Sequence, residues 1–497
     1  MSLIGVAALV GIVLAAAGVL GFAFVVARPQ PMLYCYLATL LFVSQGDGGQ
    51  GGLSDGDIYG RGTGVLPVAL ITVYLWSMAA IAFARRRVAG RPLEPFNVYK
   101  YFWLFNILFA FHMIAAAWLG IPLSQSLSML GLISVVNVSI FFYVLLALLD
   151  SPEDLRKLTK FFIICASIRG VYALIRFLFF GGDPSNPYAL LEQRDVTITF
   201  ANAADLAVAS ATAFWCAWQL TNRYSEMRVS ARLGCLALLA MESSLVVFSA
   251  HRSSWAGFGL ATMVFFATVP RRRRKWAALA TAVFVAVAAT AVAATAVKRF
   301  GAGAAPGASL VDMLLPDFKS TQASPEERGR PRELGYALDT ILAHPIFGVG
   351  SWGKYEGWGI PWQQGENAYG FFHSALGNIA LKGGILGLSL FLGMLFAPVN
   401  FTYRQRSSIP HSDRGIYYAG VAGLAYLLPT LLVEAGNTEV RTMQVLALLV
   451  ALPYVVYRAT RPELYPDGSI VPVQPRARAP RFGHARLLPQ RGRPGTP

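Results

Sequence analysis

A set of ionisable residues lies within or at the rim of the chain's long apolar segments, where a charge is costly and usually has a function. They are Arg169, Arg176, Arg194, Asp205, Glu242, His251, Arg252, His373, Glu434 and Arg441. Guanidinium groups stay charged at every physiological pH and bind phosphate oxygens through paired donors. A histidine beside them can take up a proton near neutral pH. Together, these residue types suit a bound diphosphate or another polyanion next to a proton acceptor.

Each of these residues also has a purely structural interpretation. A single interfacial arginine often anchors a helix by reaching toward the headgroups. Glu242 with Arg169, or Glu434 with Arg441, can form buried pairs that hold helices together. His112, alone in an apolar segment, is typical of a hydrogen-bonded packing residue. The functional interpretation therefore depends on the grouping of these residues.

The composition predicts the scaffold that must position them. Of the 497 residues, 55% are apolar and only 14% are charged, and the apolar residues form blocks long enough to cross roughly 30 Å of hydrocarbon. The sequence predicts an all-α, polytopic membrane helical bundle with about 12–13 transmembrane helices. The predicted spans are 3–26, 31–44, 65–84, 101–119, 127–149, 160–180, 199–220, 233–250, 254–270, 276–297, 371–397, 416–434 and 440–457.

The basic residues predict the orientation of the bundle. Clusters at Arg85–Arg87, Arg156–Lys160, Arg223–Arg232, Arg271–Lys275 and Arg404–Arg406 fall on one side, which the positive-inside rule assigns to the cytoplasm. A basic, proline-rich C-terminal tail lies on the same side and is typical of disorder. The net charge of +16 thus comes mostly from the basic cytoplasmic loops and the basic tail. It does not indicate a nucleic-acid partner.

Four regions follow from this pattern: an N-terminal bundle at 1–297, a long outer loop at 298–370, C-terminal membrane helices at 371–457 and the cytoplasmic tail at 458–497. Within the loop, ELGYALDTILAHPIFGVG predicts a short amphipathic helix at the outer membrane face, followed by a turn. The four cysteines lie in apolar spans without metal-ligand spacing, and no phosphate-binding GxxxxGK[ST] motif occurs. No metal or cofactor is predicted.

Several ordered blocks make the sequence recognisable. HPIFGVG (344–350), His373 and GGILGLSLFLGMLF (383–396) resemble the C-terminal signature of the O-antigen ligase and Wzy polymerase superfamily. FSAHRSSWAGFGLA (248–261) resembles the family's Ser-x-Arg helix junction. RDVTITFANAADLA (194–207) resembles its Arg-x-x-Gly-x-Phe-x-Asn-x-Asn block. The resemblance covers roughly residues 160 to 400.

This resemblance implies a membrane glycosyltransferase that acts on the periplasmic side of the bacterial inner membrane. Members transfer a glycan from an undecaprenyl-diphosphate donor, invert the anomeric centre and need no metal. Arg194 and Arg252 match arginines that grip the diphosphate, and His373 matches the histidine that takes the acceptor's proton. The implied acceptor is a second lipid-linked glycan or lipid A-core, and the implied partners include a chain-length regulator and other polysaccharide-assembly proteins.

Further arginines are candidates for binding the diphosphate or the glycan. Arg169 and Arg176 are seven residues apart, so they share nearly one face of a helix. Arg328 and Arg332 precede the amphipathic segment of the long loop, where ordinary solvated charge is the alternative. We predict a role in substrate binding for all four.

The alternatives concern the mechanism and the acceptor. Asp55 and Asp57 in LSDGDIYG are paired outer carboxylates that would suit a metal-dependent enzyme, although their glycine-rich surroundings favour a turn. A transporter or flippase of lipid-linked glycans would have repeated halves, broken helices and midplane charges. Because Ser374 follows His373 where the family usually has asparagine, a polymerase is favoured over a ligase.

Overall fold

A computed structural model of the chain describes 28–43, 58–59, 68–90, 94–128, 130–184, 197–249, 251–275, 278, 335–356, 368–369, 373–434, 436 and 439–461, with only the backbone at 252, 368 and 369. The predicted span 3–26, nearly all of 276–297, and Arg194, Arg328 and Arg332 lie outside these residues. So do the paired carboxylates Asp55 and Asp57.

The described part of the chain is a helical bundle. Its helices are α1 Gln30–Phe42, α2 Leu70–Val88, α3 Tyr99–Trp118, α4 Ile133–Leu148, α5 Pro152–Phe179, α6 Ala203–Asn222, α7 Val229–Val247, α8 Arg252–Thr268, α9 335–343, α10 Ala375–Gln405, α11 Arg414–Val433 and α12 Val440–Ala459. A single turn, Leu123–Ser126, precedes α4. Two short antiparallel strands, β1 Tyr355–Glu356 and β2 Ala368–Tyr369, pair Tyr355 with Tyr369.

Length and hydropathy agree with membrane insertion. Within the described residues, six helices are long and apolar enough to cross a bilayer: α3, α5, α7, α10, α11 and α12. Two more, α1 and α4, are shorter apolar helices. The predicted fold class, an all-helical polytopic membrane bundle, is therefore confirmed for the described residues. The helix α12 is buried along nearly its whole length and packs against α4, α6 and α11, which makes it the centre of the bundle.

Some helices extend beyond the predicted spans. The predicted span 160–180 lies almost entirely within α5, which begins earlier, at Pro152, behind a capping box formed by Ser151 and Asp154. Similarly, α10 continues to Gln405, past the predicted end at 397. Hydropathy marks where a chain enters lipid, whereas capping and propensity decide where a helix begins and ends.

Several arginines gather at one end of the bundle, which we call the basic end. Arg458 Nη1 donates to Leu146 O at 2.7 Å and Arg86 Nη1 donates to Ala147 O at 3.5 Å, so two buried cations lie against the carbonyl end of α4, where its dipole is negative. At the same end, Arg273 Nη1 donates to Thr221 O at 2.8 Å. Residues of the predicted basic clusters at 85–87 and 271–275 thus lie at this end.

The helix α10 is broken within its first half. Gly384 has φ 63° and ψ −166°, a backbone conformation that is essentially restricted to glycine. The turn of HPIFGVG binds the backbone groups that the break releases: Val349 N donates to Leu381 O at 2.9 Å, and Ile385 N donates to Pro345 O at 2.8 Å. Backbone groups left without partners at membrane depth would cost several kcal/mol each. The turn at 344–350 and the break in α10 therefore form one hydrogen-bonded unit, which we call the joint. The sequence did not predict it.

A buried lysine on α10 also binds the chain that follows this turn. Lys382 is 1% exposed, and its ammonium donates to Gly353 O at 2.8 Å and to Ser351 O at 3.3 Å. His112 Nε2 donates to Phe347 O at 3.1 Å, which agrees with its interpretation as a packing residue. These contacts fix the segment 344–353 against α3 and α10.

The helix α9 lies where the sequence predicted a short amphipathic helix. Ala337 and Ile341 face the protein, whereas Leu338 and Leu342 are exposed on the outward side. An outward side with two exposed leucines suits contact with lipid more than contact with water. Spacing alone did not distinguish these two sides.

Candidate active site

The starts of α8 and α10 meet at a single residue, Glu434, which follows α11. Ser253 Oγ donates to Glu434 Oε1 at 2.6 Å, and Ala375 N donates to Glu434 O at 2.8 Å. Arg252 is the first residue of α8, and His373 lies two residues before Ala375. The backbone positions of Arg252 and His373 therefore lie at the same end of the bundle, which we call the His373 end.

Close helix packing holds α8 against α11 below this junction. At Gly257, a Cβ atom would meet the backbone carbonyl of Tyr426. Small residues let membrane helices approach in this way and strengthen their packing. Since α11 itself is largely buried, it forms a rigid base for the first turn of α8.

Among the described helices, those that begin at the His373 end include α6, α8, α10 and α12. Asn202 caps α6 by accepting from Ala204 N at 2.8 Å, and Ser374 caps α10 by accepting from Gly377 N at 3.1 Å. The helix α8 has no side-chain cap hydrogen bond. Helix starts carry partial positive charge, and uncapped first-turn amides can donate to an anion. The start of α8 is thus suited to hold negative charge beside Arg252.

His373 is half-buried and precedes the cap of α10, just outside the helix. The Ser374 cap is a local reason for the helix to start there, because its hydroxyl binds one of the amides that the first turn leaves unpaired. His373 is thereby placed just outside the start of the helix. A histidine in that position can reach both a lipid-anchored group and a group that arrives from water.

The guanidinium of Arg169 is held by a neighbouring carboxylate. It donates from Nε and Nη2 to the two oxygens of Asp205, each at 2.6 Å, and Arg441 Nη2 donates to Asp205 Oδ1 at 2.7 Å. Arg441 also donates from Nε to Leu40 O at 2.8 Å. Arg169 thus pairs with Asp205 and not with Glu242. Its role in substrate binding stays a prediction, and the geometry gives it a second task, joining α5, α6 and α12.

Arg176 binds the two ends of the segment that contains Arg194. It donates to Asp183 Oδ2 at 2.9 Å and to Thr199 O at 3.0 Å. Asp183 Oδ2 also accepts from Ala201 N at 3.0 Å, next to the start of α6. Arg176 therefore brings residues 183 and 199 together, and its proposed contact with substrate stays a prediction.

Glu242 lies deep in the bundle. Its side chain is 2% exposed and lines a small cavity together with Arg169 and Asp205. Among the described residues, its Oε1 has no hydrogen-bond partner. A Cβ atom at Gly170 would lie 3.2 Å from that oxygen, so the absence of a side chain at this position makes room for the carboxyl group.

Glu439 is a further carboxyl group at the His373 end. Its Oε2 accepts from Thr442 Oγ1 at 2.6 Å and from Asn202 Nδ2 at 3.3 Å, which joins the starts of α6 and α12. Burial raises the pKa of Glu439 to about 7. Sequence reasoning did not single out Glu439 or Ser253. Their signal was weak: polar residues at the rims of apolar spans.

No group of three or more His, Cys, Asp or Glu side chains suitable for a metal ion occurs in the part of the chain that the structure describes.

Comparison with known proteins agrees with the motifs. A family model described as O-antigen ligase matches residues 235–392. This range contains Arg252, the HPIFGVG turn, His373 and the break in α10, whereas the block at 194–207 lies outside it. No curated protein matches the chain. The resemblance to the O-antigen ligase and Wzy polymerase superfamily is therefore confirmed, and the matched region belongs to that family.

Proposed function

We propose that the chain is an inverting membrane glycosyltransferase that polymerises undecaprenyl-diphosphate-linked oligosaccharide units into a surface polysaccharide. One observation supports this above all: the start of α8, with Arg252, and the start of α10, behind His373, are both bound to Glu434. The family match spans the same two segments. The site is then the His373 end of the bundle, which the positive-inside rule assigns to the periplasm.

The proposed chemistry assigns one task to each group. His373 takes the proton of the acceptor hydroxyl, whose oxygen attacks the anomeric carbon of the donor glycan. The bond from that carbon to the diphosphate oxygen breaks on the opposite face, so the configuration inverts. Negative charge then grows on the leaving diphosphate, where the guanidinium groups of Arg252 and Arg194 and the first-turn amides of α8 stabilise it. Four further arginines are proposed to assist in binding the diphosphate or the glycan: Arg169, Arg176, Arg328 and Arg332.

Proposed partners follow from this chemistry. The donor is an undecaprenyl-diphosphate-linked glycan, and a second lipid-linked unit is the acceptor. A chain-length regulator and other polysaccharide-assembly proteins would act beside the chain in the bacterial inner membrane, with the C-terminal tail on the cytoplasmic side. A ligase that delivers the glycan to lipid A-core or another acceptor uses the same groups and is the alternative.

Transport of a lipid-linked glycan is a second candidate, because α10 is broken and charges are buried in the bundle. The turn of residues 344–350 binds backbone groups released at the break, however. Asp205 likewise holds both Arg169 and Arg441. Both features therefore have a structural explanation that needs no transport. Catalysis at the His373 end is the better supported function, because the family match spans the two segments that meet there.

Deleting the chain and analysing the lipid-linked glycans tests this proposal. A polymerase predicts that single repeat units accumulate on the lipid, because each unit is made and exported but not joined. Long lipid-linked chains with bare acceptor would instead identify a ligase. Accumulation of donor on the cytoplasmic side of the membrane would contradict both and support transport.

A further inference from the structure

We infer that Glu434 is a positioning residue that sets the first turn of α8, and hence Arg252, relative to the start of α10, and hence His373. This inference rests on the proposed function and adds a residue to it. Glu434 contacts both segments at once, through its carboxylate on one side and its backbone carbonyl on the other.

The backbone of Glu434 is itself well fixed. Its N–H donates to Thr430 O at 2.8 Å, which continues the hydrogen bonding of α11, and the chain then turns into extended conformation. The extended conformation at this residue directs its carbonyl to Ala375, the first residue of α10. Because Ala375 is fully buried, this bond joins the two helices inside the protein.

The side chain of Glu434 fixes the other segment. An O–H···O distance of 2.6 Å to Ser253 is in the range of charge-assisted hydrogen bonds, which are about twice as strong as neutral ones. The carboxylate also lies at the positive start of α8, where negative charge stabilises a helix. Since α8 has no side-chain cap of its own, this contact with Glu434 helps to orient its first turn.

Orientation of that turn matters for the reaction. Arg252 must meet charge that develops on the diphosphate at the moment when His373 removes the acceptor proton. A displacement of about 1 Å between groups that act together can lower a rate roughly 10²-fold. A single residue bound to both segments keeps their spacing constant while the lipid and the glycan come and go.

Substitutions at both partners test this role. In a glycan-transfer assay, Glu434→Ala and Ser253→Ala are each expected to lower kcat about tenfold or more, with less than about threefold change in the KM for donor. Glu434→Gln and Ser253→Thr retain an acceptor and a hydroxyl, so they should recover most of kcat. The kcat of the double alanine variant should not fall below that of the less active single variant, because all three variants lose the same Ser253–Glu434 hydrogen bond.

A matched control is Ser244→Ala in α7, which removes a hydroxyl whose hydrogen bond among the described residues lies within its own helix, to Met241 O at 2.7 Å. Its kcat should equal that of the wild type. A kcat for Ser253→Ala equal to that of the control would overturn the inference. Glu434→Gln as inactive as Glu434→Ala would do so too, because the carboxylate would then act in the chemistry itself.

A second readout does not need turnover. Hydrogen–deuterium exchange at the amides of residues 252–256 should speed up in Glu434→Ala and Ser253→Ala and stay unchanged in the two conservative variants. Unchanged exchange in the alanine variants would refute the positioning role. Failure of the wild type to transfer glycan would instead refute the proposed function, while the exchange measurement still decides the inference.

Discussion

Replacing His373 or Arg252 with alanine is expected to abolish polysaccharide formation while the protein remains in the membrane. Loss of a general base typically lowers a rate by about 10²–10⁴-fold. Loss of a donor to developing charge lowers it by about 10²–10³-fold. A deletion strain complemented with either variant should accumulate the same lipid-linked glycans as the deletion itself.

Arg252→Lys tests why a guanidinium is needed at this position. It retains the charge but loses the planar pair of donors, so activity should recover only in part. Arg228→Ala is the matched control, because Arg228 is exposed at the basic end and should be dispensable. Polysaccharide of normal amount and length from His373→Ala, at wild-type protein level, would exclude His373 as the base.

Replacing Asp205 with alanine is expected to destabilise the fold severely. Asp205 is 4% exposed and compensates two arginines at once, one of which, Arg441, is 1% exposed. Removing one partner of a buried ion pair costs about 3–5 kcal/mol, because an uncompensated charge remains. The protein level in the membrane and the unfolding temperature in detergent should both fall.

A double variant separates charge from packing in this network. Adding Arg441→Met to Asp205→Ala removes the stranded charge and should restore part of the lost stability. The matched control is Glu153→Ala, whose partner Lys157 is solvent-exposed on α5, so the unfolding temperature should hardly change. Equal unfolding temperatures for Asp205→Ala and Glu153→Ala would show that the network contributes little.

The apolar segments made most of the fold predictable. Spans such as 440–457 and 416–434 agree closely with α12 and α11, because a lipid-spanning helix must be apolar over a known length. The break at Gly384 was not predictable in the same way. It depends on the turn of residues 344–350, which supplies its hydrogen bonds only after the chain has folded.

The candidate site, too, was predictable only in part. His373 and Arg252 could be identified because each occurs in a recognisable block at the start of a helix. The partners of Arg169 and Arg441 could not, since both bind Asp205, which lies 36 residues from one and 236 from the other. Which residues of distant helices pair depends on how the helices pack. From the sequence alone, Glu242 was an equally reasonable partner for Arg169, and Glu434 for Arg441.

The most direct measurement is glycan transfer by the purified protein from a polyprenyl-diphosphate-linked oligosaccharide. Mass spectrometry and NMR of the products should show free polyprenyl diphosphate together with a lengthened glycan whose new linkage has the inverted configuration. The donor remaining intact in the presence of acceptor, or a new linkage with retained configuration, would contradict the account.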